Sequence, residues 1–163
     1  MHTNHNHQPV GRHHTENRLW GFVHELDAKL ENTERHIKRS KHAVPGHDAT
    51  LLDTVQVLRR DLRELRSKIA TGAGTGGRVD LDKLAATLTH RVDRLEEIAD
   101  ATAAADRLAT RHGRSSDGST RIMSVTEELL AGLRSGESAA IIASRLGTLR
   151  AAIASLAATP LAD

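Results

Sequence analysis

Five histidines, His2, His5, His7, His13 and His14, fall within the first fourteen residues. Neutral imidazoles ligate zinc, copper or nickel, so metal binding is the first chemistry to weigh. The same fourteen residues contain no Asp, Glu or Cys to complete a ligand set. The other histidines are scattered, without the H-E-x-x-H or E-x-x-H spacing that places ligands on one helix face. A flexible all-His tail binds metal only incidentally, and neither metal nor cofactor is assigned. Gly72, Gly74 and Gly77 match G-x-G-x-x-G to the letter. A dinucleotide site requires a strand before those glycines, and a charged helical pattern precedes them here. Gly136-Glu137-Ser138 is not a nucleophile elbow, because Ala140 stands where the second glycine belongs. With no cysteine and no convergent carboxylates, the chain is expected not to be an enzyme.

The elements that would carry any site are helices. The 163 residues include one Trp, one Phe and no Tyr. A core without rings must be built from Leu, Ile, Val and Ala, which suits helices packed along a seam. The expected class is all-α: long amphipathic helices in a hairpin or coiled-coil-like bundle, plus a C-terminal helical pair. Lys and Arg number 23 against 21 Asp and Glu, and the balance holds along the chain. No segment is a basic domain of the kind that neutralises phosphates. The N-terminus lacks the apolar core of a signal peptide, and no apolar run stands out as membrane-spanning, so a cytoplasmic protein is expected.

Apolar positions divide the chain. Residues 1–14 read as a disordered His-rich tail. Residues 15–70 read as a helical hairpin broken at Val44-Pro45-Gly46-His47-Asp48. Its first arm carries Leu19, Val23, Leu26, Leu30, Thr33, Ile37 and Ser40, its second Leu51, Val55, Leu58, Leu62, Leu65 and Ile69. Both run in steps of four and three, a heptad-like seam. Glu25 with Lys29, Glu31 with Arg35 and Glu34 with Lys38 are spaced for pairing along the first arm. A Gly-rich linker, 71–80, leads to a third helix over 81–111 with Leu81, Leu84, Leu88, Val92, Leu95 and Ile98 on its stripe. Residues 112–121, HGRSSDGSTR, read as a flexible linker. The C-terminal pair, 122–163, is expected to start at a capping box of Ser124 and Glu127, with a break at Ser135-Gly136.

Trp20 and Phe22, the only rings, lie beside the first seam, where they widen its apolar stripe or offer an anchor to a partner. The last helix raises a sharper question. In SAAIIASRLGTLRAAIASL, residues 138–156, Ala143 is small where two helices would cross, and Gly147 follows four later, where a turn would fall. Ile142, Leu146, Ile153 and Leu156 occupy the locking positions. The segment resembles the helix-turn-helix of bacterial regulators, of the GcrA-like or resolvase type. That resemblance implies DNA contacts from Arg145, Thr148, Arg150 and Ser155. The candidate recognition helix is otherwise alanine, which departs from the polar surface that base reading requires.

Two functions follow. The favoured one is a non-enzymatic helical scaffold or adaptor that self-associates through its seams and holds a protein partner. The alternative is a small DNA-binding regulator, with an N-terminal dimerising coil and a C-terminal helix-turn-helix.

Overall fold

A computed structural model describes residues 10–39, 45–72 and 80–161 of the protein. Five helices account for nearly all of them: α1 (Val10–Arg39), α2 (Pro45–Ala70), α3 (Leu81–His112), α4 (Asp117–Ser135) and α5 (Ala139–Ala158). The class is all-α and the architecture a helical bundle.

Polar contacts between helices give the directions. Arg18 meets Asp82 at 2.7 Å, Lys29 meets Asp93 at 2.9 Å and His36 meets Asp100 at 3.4 Å. The sequence separation is 64 in each pair, so α1 and α3 run parallel. Arg59 reaches Glu34 at 2.9 Å while Arg66 approaches Asp27 at 3.9 Å, so α2 runs antiparallel to α1. The 32-residue α3 is the axis, because each of the other four helices packs against it.

The heptad-like seams close on one another within the protomer. Leu19, Val23, Leu26, Leu30, Ile37, Leu51, Val55, Leu58, Leu62, Leu65, Ile69, Leu88 and Leu95 are each 4% exposed or less. Leu84 is the exception on the expected stripes: it is exposed, and Ala85 takes the buried position instead. Beyond Asp100 the α3 stripe continues as Thr102, Ala105 and Ala109, all buried. These small side chains let α4 pack closely, with Ile122 and Met123 facing Ala105 and Ala109.

Helix boundaries depart from the sequence expectation in four places. α1 begins at Val10, inside the segment expected to be a disordered tail; once a helix is nucleated, extending it through Arg12 to Asn17 needs no new closure. α2 begins at Pro45 itself, since proline has the right φ and lacks an N–H that a first turn would leave unbonded. α4 begins at Asp117, inside the expected 112–121 linker. Its cap is Ser116, whose hydroxyl accepts from the Ser119 N–H at 3.2 Å, rather than the expected Ser124. Gly118 is not a flexible link either: a Cβ there would meet Leu156 Cδ1 at 2.8 Å. The fourth departure is at Gly147, where α5 runs on without a turn. Asp80 caps α3 by accepting from the Lys83 N–H at 3.0 Å, and Ser138 caps α5 by accepting from the Ile141 N–H at 3.4 Å.

Candidate interaction surface

Charged side chains organise the α1–α2–α3 side of the molecule. Lys29 does not use Glu25 as expected but reaches across to Asp93. That hydrogen bond, with the charge of Asp93, raises the Lys29 pKa against the opposing effect of burial. Glu34 holds both Lys38 and Arg59 at 2.9 Å. The Lys38 hydrogen bond, with help from Arg59, keeps its carboxyl below the usual range, again against burial. Arg91 joins three helices: it donates to Asp61 of α2 at 2.8 Å and to the Leu133 carbonyl of α4 at 2.7 Å. The Leu133 carbonyl lies in the last turn of α4, at the negative end of the helix dipole, which suits a guanidinium. Arg134 ties the same turn to α2 through Thr54 Oγ1 at 3.2 Å.

The side chains proposed to touch DNA do not converge. Arg145 is paired with Glu137 at 2.7 Å, directly over Gly132. Arg150 points toward α3, with Glu97 at 3.5 Å. Thr148 and Ser155 lie two turns apart on another face, lining an open groove of about 850 Å³ between α5 and the start of α4. His112, Asp117 and Arg121 edge that groove on the other side. The turn that the helix-turn-helix resemblance places at Gly147 is absent: α5 runs through it, since a single interior glycine costs only about 1 kcal/mol and no proline lies in Ile141–Ile153.

α5 departs from the rest in exposure. It is the one helix among the described residues long and apolar enough to cross a membrane by length and composition, which corrects the expectation that no such run exists. Alanine makes it so, without a long run of large apolar residues. Only Ile142, Leu146, Leu149, Ala152 and Leu156 are buried, and Ile141 is 45% exposed. Elsewhere, Trp20 is partly exposed while Phe22 packs against the core.

No family model, curated protein or solved structure matches this chain. Its surface must be read from its own chemistry. Among the described residues no cluster of His, Asp or Glu is placed to hold a metal ion. His2, His5 and His7 lie outside the described residues, and His13 and His14 fall on the first turns of α1. What sequence reasoning passed over is the outer face of α4 and α5. Arg121 and Glu128 are seven residues apart, hence on one face of α4, and Ile141 begins α5. The spacing is visible in the sequence, but the antiparallel packing of α4 on α5, with Gly118 by Leu156 and Gly132 by Arg145, is not.

Proposed function

We propose that the protein is a non-enzymatic helical scaffold or adaptor that self-associates. The expected seams are spent on the protomer's own core, so association falls to a different surface. The observation that carries the reading is α5: the most apolar helix of the chain turns most of its residues to solvent. Apolar helix surface left uncovered along its full length marks an interaction site in a folded protein.

The DNA-binding alternative draws no support from this geometry. Arg145 is tied to Glu137 and Arg150 turns toward Glu97, which Arg94 also holds, so the two arginines form no joint cationic face of the kind that phosphate binding needs.

Sedimentation of the full chain from micromolar to near-millimolar concentration tests the reading. A mass rising above the 17.7 kDa protomer is expected. A protomer mass throughout would reject self-association. Duplex DNA binding that falls steeply with salt would put the regulator in its place.

A further inference from the structure

We draw no further inference here: the strongest candidate, the uncharged outer row of α5 through Ala140, Ser144, Gly147, Ala151, Ala154 and Ala158 with the open groove beside it, is a stripe of small residues, and nothing in the structure shows what covers it.

Discussion

The helices α1 and α5 are both long, and both bury one stripe, yet they treat the rest of their surface in opposite ways. α1 edges its stripe with polar contacts to both neighbours: ion pairs from Arg18 and Lys29, with His36 beside Asp100, toward α3, and ion pairs from Asp27 and Glu34 toward α2. Each such pair fixes the register of packing more than it adds stability, since exposed pairs contribute little. The outer row of α5 has no charge at all. One surface is finished within the protomer, and the other is left without a partner inside it. A scaffold needs both: a part whose register is fixed, and a face that can take a neighbour.

The largest effect that separates the two regions is cavity formation in their cores. Leu58 and Leu149 are both fully buried. Leu58→Ala is expected to cost about 3–5 kcal/mol, because α2 is held by α1, α3 and α4 and the space cannot collapse. Leu149→Ala should cost about 2–3 kcal/mol, since α5 is open to solvent on its far side and can settle inward. Urea unfolding followed by circular dichroism measures both. Equal losses would mean that α5 is as tightly fixed as α2, and the contrast would fail.

Arg91 of α3 ties α2 to α4, the helices that pack against α1 and α5 respectively, and removing it comes next in size. Arg91→Ala leaves Asp61 without its 2.8 Å partner and the Leu133 carbonyl without its 2.7 Å donor. The side chain is 17% exposed, so the loss is that of a largely desolvated pair, about 2–3 kcal/mol. Hydrogen exchange should show the excess in the last turn of α4, whose amides would open before those of α1 and α2. Uniform acceleration across all helices would show instead that the molecule opens only as one unit.

The scaffolding was legible in the sequence because apolar spacing is a direct record of burial. Leu19 to Ile37 and Leu51 to Ile69 recur every three or four residues, and a helix has only one way to bring such positions to one side. Boundaries were less legible where one residue type has two uses. Pro45 reads as a break and is a first-turn residue; Ser116 and Gly118 read as linker and are a cap and a close contact. Gly147 reads as a turn and lies in the middle of a helix. The α4–α5 surface was not legible, because its signal is a row of residues lacking charge. Alanines that are buried and alanines that are exposed look alike until the neighbours are placed. Ala105 and Ala151 are one of each.

The smallest effect is the dependence of the α1 ladder on pH, and its sign follows from the directions of the two shifts. Glu34 is held below the usual carboxylate range in the folded chain, chiefly by the hydrogen bond from Lys38 and then by Arg59. The unfolded chain therefore takes up the proton first as pH falls. The contribution of Glu34 is present above the ordinary carboxylate pKa and disappears as pH drops through its lowered folded value. Glu34→Gln should be less stable than wild type at neutral pH by less than about 1 kcal/mol, and that gap should close in acid. Lys29 behaves in the opposite sense. Its pKa is raised by the hydrogen bond to Asp93, so its contribution is full below the ordinary lysine value and lost as pH rises through the folded one. Lys29→Met should therefore converge with wild type only in strong alkali. Urea midpoints of both variants across pH make the measurement. A Glu34→Gln gap that stays constant into acid would mean the carboxylate is not what Lys38 and Arg59 hold, and the ladder would then be packing alone.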